Sequence, residues 1–190
     1  MSAAQKPYTK YADYLAFERT SAEKHEYLRG EIFAMAGGTP EHARLQAAFS
    51  GELRTALSGR PCNVYSSDLR LRIVETERSC YADVVVICGP VEPAPDDADA
   101  ATNPLVIVEV LSDSSEASDR GEKFAHYRRI ASLRDYLLVS QKEQRLEVYS
   151  NDGGRWFLTD ATAGGAVRIS SLGINLDVNA VYRNPAAAQS

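Results

Sequence analysis

Two stretches, YADVVVI (residues 81–87) and LVIVEVL (residues 105–111), decide the fold. Each sets a single acid, Asp83 or Glu109, inside a run of aliphatic, mostly β-branched residues. Such runs read as buried strands. A carboxylate buried without compensation costs several kcal/mol. One buried acid is explained by an arginine partner, but two on adjacent core strands point to a shared cation. Mg²⁺ fits best, because it takes one or two carboxylates and completes its shell with water and phosphate oxygens; Mn²⁺ is expected to substitute. Alternation sends Leu105, Ile107, Glu109 and Leu111 to one face and Val106, Val108 and Val110 to the other. Glu109 is thus able to meet Asp83 across the strands, and the backbone carbonyl of Val110 offers a third oxygen. The expected metal ligands are Asp83, Glu109 and Val110.

Downstream, a helix beginning near Asp119 places Asp119, Lys123 and Tyr127 at four-residue intervals on one face. Lys123 lies near the helix start and can reach back over the sheet edge, where an ammonium would help activate a metal-bound water or stabilise charge on a phosphate. The spacing alone equally suits an exposed lysine on a solvated face. Upstream, Thr39 reads as the cap and Pro40 as the first turn of a helix running to about Leu57. Its buried stripe is Leu45, Phe49, Leu53 and Leu57, with His42 and Gln46 beside it. Strands are expected in CNVYSS (62–67) and DLRLRIV (68–74), a hairpin in HEYLRGEIFAM (25–35) around Arg29-Gly30, and a short helix in YTKYADYLAFER (8–19) capped by Thr9. Further strands fall in DYLLVSQ (135–141) and RLEVYSN (145–151), with a smaller β extension through WFLTDA and VRIS. The stretch PVEPAPDDADAATNP (90–104) reads as a solvated loop. Its acids Asp96, Asp97 and Asp99 resemble metal ligands only superficially, because a flexible loop loses ordering entropy when it converges on an ion. The core order of helix, three strands, helix and strand predicts an α/β architecture with a mixed sheet. We expect one domain over 1–190, with its core at about 39–150 and a frayed tail at 184–190.

Composition narrows the class. Apolar residues make up 44% and charged residues 25%, ordinary for a globular domain. No apolar run approaches a membrane span, and MSAAQKPYTK has no secretion-signal character, so a cytoplasmic protein without membrane contact is expected. Cys62, Cys80 and Cys88 are odd in number and lack CxxC spacing, so small buried thiols are expected rather than a disulfide framework or a zinc site. The net charge of −5 argues against a nucleic-acid partner, which normally meets a basic surface. A small nuclease needs only a local basic groove, however, and Arg70, Arg72, Arg128 and Arg129 are candidates for one or for a solvated face.

Taken together, HEYLRGEI, TPEHARL, YADVVVI, VEVLSDSSEASDRGEKFAHY and DYLLV resemble the PD-(D/E)xK nuclease superfamily, and more closely its Uma-type "putative restriction endonuclease" family. The likeness spans roughly residues 8 to 150. It implies a restriction-endonuclease-like fold, a divalent metal and phosphodiester hydrolysis. It matches Asp83 to the first acid and Glu109 to the second. Ala82 stands where the superfamily has proline. Leu111 stands where it has lysine, a residue that the family carries on the following helix as Lys123. The resemblance also matches Glu26 to the early glutamate of the hairpin, which would equally serve as a surface residue. It matches His42 to the histidine of the first long helix, where the helix N-terminus disfavours the imidazolium and a neutral acceptor or a helix-start residue is expected. The reading is a Mg²⁺-dependent endonuclease acting on DNA, with catalytic residues Asp83, Glu109, Lys123, Glu26 and His42, and a homodimer as the assembly that would cut two strands. The rival is a catalytically idle nuclease-fold module for binding or assembly; a hydrolase of smaller phosphoesters is a third reading.

Overall fold

The computed structural model describes residues 8–35 and 37–184. Helix α1 (Tyr11–Glu18) leads into β1 (His25–Leu28) and β2 (Glu31–Ala34), paired antiparallel across Arg29 and Gly30. Both turn residues have positive φ, 47° and 88°, as a two-residue hairpin with the strands' own twist demands. Helix α2 (Pro40–Ala56) starts as expected: the Thr39 hydroxyl accepts the His42 N–H, and Pro40 occupies the first turn. Leu45, Phe49, Leu53 and Leu57 are all buried.

Two sheets follow. Strands β4 (Arg70–Ile73), β5 (Arg78–Tyr81), β7 (Pro93–Ala94) and β8 (Asp97–Ala101) join the hairpin in the order β2-β1-β5-β4-β8-β7. Strands β3 (Cys62–Ser66), β6 (Val84–Cys88), β9 (Val106–Val110), β10 (Asp135–Val139), β11 (Arg145–Asp152) and β12 (Arg155–Thr162) form the central mixed sheet, in the order β12-β11-β10-β9-β6-β3. Only β9 and β10 within it run parallel, and a helical crossover joins them, as a parallel pair requires. That crossover is α3 (Glu116–Ser118), a π-helical segment (Asp119–Lys123) and α4 (Phe124–Tyr127).

The inner strands β6, β9 and β10 of the central sheet are buried on both faces. One face packs Val84, Val86, Val106, Val108 and Val110 against the α2 stripe and a C-terminal unit of β13 (Ala166–Ile169), β14 (Ile174–Asp177) and α5 (Val178–Tyr182). The other packs Val85, Ile87, Ile107 and Leu111 against Phe124 and Tyr127 of the crossover and Leu71, Ile73 and Cys80 of the first sheet. Core burial on both sides gives this sheet its uninterrupted aliphatic sequence.

Several expectations are corrected. YADVVVI is not one strand: Tyr81 ends β5 in the first sheet, the chain bends at Asp83, and β6 begins in the second. The unread strand β5 lies between two expected ones. The 90–104 stretch is not a solvated loop, since it contains β7 and β8. Asp97 is buried, its carboxylate forked by the Arg70 guanidinium at 2.7 and 3.1 Å, and Asp96 pairs with Arg72 at 2.8 Å. Arg70 and Arg72 therefore serve the core rather than a basic groove, while Arg128 and Arg129 are exposed. Lys10, not Thr9, caps α1, without a side-chain bond. Cys62 and Cys88 form a disulfide, because they face each other in the β3–β6 register, whereas Cys80 is the expected buried thiol. The expected tail at 184–190 lies outside the described residues except Asn184. No helix among the described residues is long and apolar enough to cross a membrane.

The Arg70–Asp97 pair yields a stability prediction. Asp97→Ala leaves a buried guanidinium without its counter-ion and should cost about 3–5 kcal/mol in urea unfolding. Arg129→Ala breaks only the exposed pair with Glu75 and should cost under about 1 kcal/mol. Equal losses would show that the first sheet does not depend on the buried pair.

Candidate active site

Asp83 sits where the chain leaves one sheet for the other. Strands β6 and β9 stay in register only from Val84↔Val108 to Val86↔Val106. β9 therefore outruns its neighbour, and the Val110 N–H is open to a side chain. The Asp83 carboxylate accepts it through Oδ2 at 2.7 Å. From α2, the Gln46 amide donates to the Asp83 carbonyl at 2.7 Å, and His42 Nε2 stands 3.2 Å from Asp83 Oδ2. The Thr39 cap sets His42 on the first turn. Gly38 lets the entering loop pass the ring: a Cβ there would lie 2.9 Å from His42 Nδ1. The hydrogen bond with Asp83 holds the His42 imidazolium above its ordinary pKa in spite of burial. The carboxylate in contact thus acts against the helix terminus, which disfavours the imidazolium.

Glu109 projects from β9 on the opposite side from Val110 and is 3% exposed. The Tyr127 hydroxyl donates to its Oε1 at 2.7 Å, Lys123 Nζ stands 3.4 Å from the same oxygen, and Oε2 lies 3.4 Å from the Asp83 N–H. Burial pushes this carboxyl up from 4.5 to about 8, against the pull of the Lys123 ammonium. Desolvation works against that ammonium, but Glu109, Glu26 and Asp119 together hold its pKa above the ordinary lysine value. Asp119, 1% exposed, reaches Lys123 at 3.0 Å. The π-helical geometry of 119–123 widens the turn that carries these residues, and such segments recur at functional sites. Glu26 on β1 is not a free surface residue. It pairs with the buried Arg78 of β5 at 2.8 Å, and Arg78 reaches Glu122 at 3.4 Å.

All five expected residues line one cleft of about 870 Å³. Its floor is Asp83, Glu109 and Lys123; the β1–β2 hairpin forms one wall and residues 112–115 another. Among the described residues no three His, Cys, Asp or Glu side chains are arranged to hold a metal ion. The donors that could hold one are the Asp83 and Glu109 carboxylates and the Val110 carbonyl, all three residues lining the cleft. An all-oxygen set that leaves most positions to water and substrate suits Mg²⁺ better than a metal that needs a closed protein cage.

A family model described as Uma2, putative restriction endonuclease, matches residues 11–180. The chain belongs to this family. Two uncharacterized proteins of Synechocystis sp. are its relatives. One is 37% identical over 172 residues, covering 90% of both chains; the other is 39% identical over 150 residues, covering 78% of this chain and 85% of its own. A crystal structure of a putative nuclease belonging to DUF820 from Anabaena variabilis superposes with a TM-score of 0.73, covering 90% of this chain and 96% of that one at 15% identity. The Uma2 chain thus has the restriction-endonuclease-like fold.

Arg78 and the role of Tyr127 lie outside the expectations drawn from the sequence. The alternation of Arg78 and Cys80 before Tyr81 was the available signal for β5, and with it for an arginine opposite the hairpin. Tyr127 was read as sharing a face with Lys123, but its hydroxyl partner depends on how the crossover lies over β9.

Burial of Glu109 predicts a pH dependence in the chelator-treated protein. A carboxyl whose folded pKa is raised contributes stability that is complete below its unfolded value and is lost as pH rises through the folded one. The window is from 4.5 to about 8. Glu109→Gln should remove this loss, so the variant's stability relative to the wild type, read by urea midpoint, should rise steadily from pH 5 to pH 8. Parallel stability–pH curves for the two proteins would contradict the burial argument.

Proposed function

We propose that the chain is a divalent-metal-dependent endonuclease that hydrolyses phosphodiester bonds in DNA, with Mg²⁺ as its ion and Mn²⁺ as a substitute. The observation that carries the reading is the meeting of Asp83, Glu109 and Lys123 on one cleft floor, with Lys123 Nζ 3.4 Å from Glu109 and the Asp83 N–H 3.4 Å from the same carboxylate. Asp83, Glu109 and the Val110 carbonyl would hold the ion. When bound, it supplies Lewis acidity to a phosphate and lowers the pKa of water. Lys123, anchored between Glu109 and Asp119, presents its positive charge where negative charge develops on a phosphate. Tyr127 fixes the direction of the Glu109 carboxylate, and His42 does the same for Asp83. Glu26 acts through Arg78, as part of the cleft wall. The net charge of −5 favours a second reading, a catalytically idle module used for binding or assembly, which predicts no metal-dependent cleavage.

Cleavage of DNA should require Mg²⁺ or Mn²⁺, and Asp83→Asn and Glu109→Gln should each abolish it without unfolding the protein. His42→Ala should lose no more than about 10²-fold. Tyr127→Phe should weaken Mn²⁺ binding, read by electron paramagnetic resonance, by about 10-fold, the size expected when a group that orients a ligand is lost. Lys123→Ala should be strongly impaired with Mn²⁺ binding unchanged or tighter, and adding Leu111→Lys should recover part of the rate. Recovery stays partial because Leu111 is 4% exposed in the core. A Lys123→Ala protein as fast as wild type at saturating metal removes the lysine from the mechanism, and a wild type inactive on every substrate leaves the idle module.

A further inference from the structure

The cleft's two walls differ in chemistry. On the hairpin side Leu28, Phe33 and Met35 line it, and Phe33 is 43% exposed. On the other side Ser112, Ser114 and Ser115 line it together with Asp113, whose carboxylate is held by Lys142. The cations that line it are engaged with carboxylates: Arg78 with Glu26 and Glu122, Lys123 with Glu109 and Asp119, and Lys142 with Asp113 and Glu116, at 3.0 and 3.1 Å. A duplex-binding surface works in the opposite way. Its affinity comes from about 6–10 lysine or arginine contacts to phosphates that release counterions, and its bases are hidden from any apolar wall by pairing. A volume of about 870 Å³ also falls within the 300–1,000 Å³ range of small-ligand clefts, room for a few nucleotides and not for a turn of double helix.

We infer that this cleft takes an unpaired nucleic-acid strand rather than an intact duplex, with bases against the Leu28–Phe33–Met35 wall and the sugar–phosphate chain along the serine wall over Asp83 and Glu109. The inference rests on the nuclease reading for the identity of the ligand and adds its strandedness. Affinity then comes mainly from base contact with an aromatic and aliphatic surface. Such contact tolerates any sequence, because every base has a π-face, and it is worth about 1–3 kcal/mol per stacked base. The acidic floor is compatible with this arrangement, because a single strand carries less charge per unit length than a duplex and fewer of its phosphates need a cation.

The test is fluorescence anisotropy with the wild-type protein in Ca²⁺, using a labelled short oligodeoxynucleotide, the same sequence as RNA, and the annealed DNA duplex. Single strands should bind at least about 10-fold more tightly than the duplex, and the DNA and RNA arms report which sugar is preferred. The plot of log affinity against log salt should fall with a slope of about 2 or less in magnitude, as for only a few phosphate contacts. Phe33→Ala should cut single-strand affinity by about 10-fold and leave the duplex value unchanged, with the fold checked by circular dichroism. Should Phe33→Ala fold poorly, Met35→Ala should show the same selective loss at smaller size. Duplex binding equal to or tighter than single-strand binding, no binding of any form, or an unchanged single-strand affinity in both variants overturns the inference. Cleavage in Mn²⁺ is scored separately. Duplex-preferring cleavage sinks the strandedness and keeps the nuclease, whereas strand-selective binding without cleavage sinks the nuclease and keeps the strand site.

Discussion

A carboxylate in the middle of a fully packed sheet is the constraint to which the rest of this structure answers. Glu109 lies between two hydrophobic clusters, and three groups from three elements converge on it: the Tyr127 hydroxyl, the Lys123 ammonium and the Asp83 N–H. Removing any one leaves a buried charge or polar atom without its partner, at a cost of about 1–3 kcal/mol or more. The crossover helix, the bend at Asp83 and the early end of β6 all meet at this residue. A site built in this way is held by the core itself, with Glu109 on a strand, Lys123 on the helical crossover and Asp83 on a bend pinned to β9 through the Val110 N–H.

The part of this arrangement that was legible beforehand is the part set by local periodicity. The Leu45–Phe49–Leu53–Leu57 stripe, the Thr39–Pro40 start, the Arg29-Gly30 turn and the two faces of β9 follow from spacings of four and two residues, and the structure shows them all except at Leu105, which precedes β9 and packs with the Val106–Val108–Val110 face instead. Asp83 and Glu109 stood out because their neighbours are so uniformly aliphatic. What stayed hidden depends on long-range pairing. Asp97 looked solvated because its sequence neighbours are acidic and small, yet a guanidinium 27 residues away makes it a core residue. Cys62 and Cys88 lack any local motif, and only the β3–β6 register brings them together. Arg78 fell in a stretch read as connection between two strands, so its partnership with Glu26 had no local signature.

The disulfide bears on where such a chain functions. Disulfides persist in oxidising surroundings and are rare in the reducing cytosol of mesophiles, so the Cys62–Cys88 bond sets a physical question against the expectation of a cytoplasmic protein. The bond ties β3 to β6 at the end away from Asp83, since Cys88 closes the strand that Val84 opens. It therefore braces the edge of the central sheet, and neither cysteine lines the cleft.

In the proposed site, Lys123 meets from a different element the requirement that the resemblance places at position 111. A lysine at 111 would lie two residues along β9 from Glu109, on the same face and beside the same carboxylate. Leucine fills that place here, 4% exposed among Ile107, Phe124 and Tyr127, so the strand position has been given to packing. The ammonium arrives instead from the crossover, through a π-helical turn in which Asp119 secures it at 3.0 Å. Separating the two tasks has a structural consequence: Leu111 lets the helix pack closely on the sheet, and that close packing brings both Lys123 and Tyr127 within reach of Glu109. The hydrophobic contact and the charged contact are thus not alternatives at this site, because the first holds the helix where the second can form.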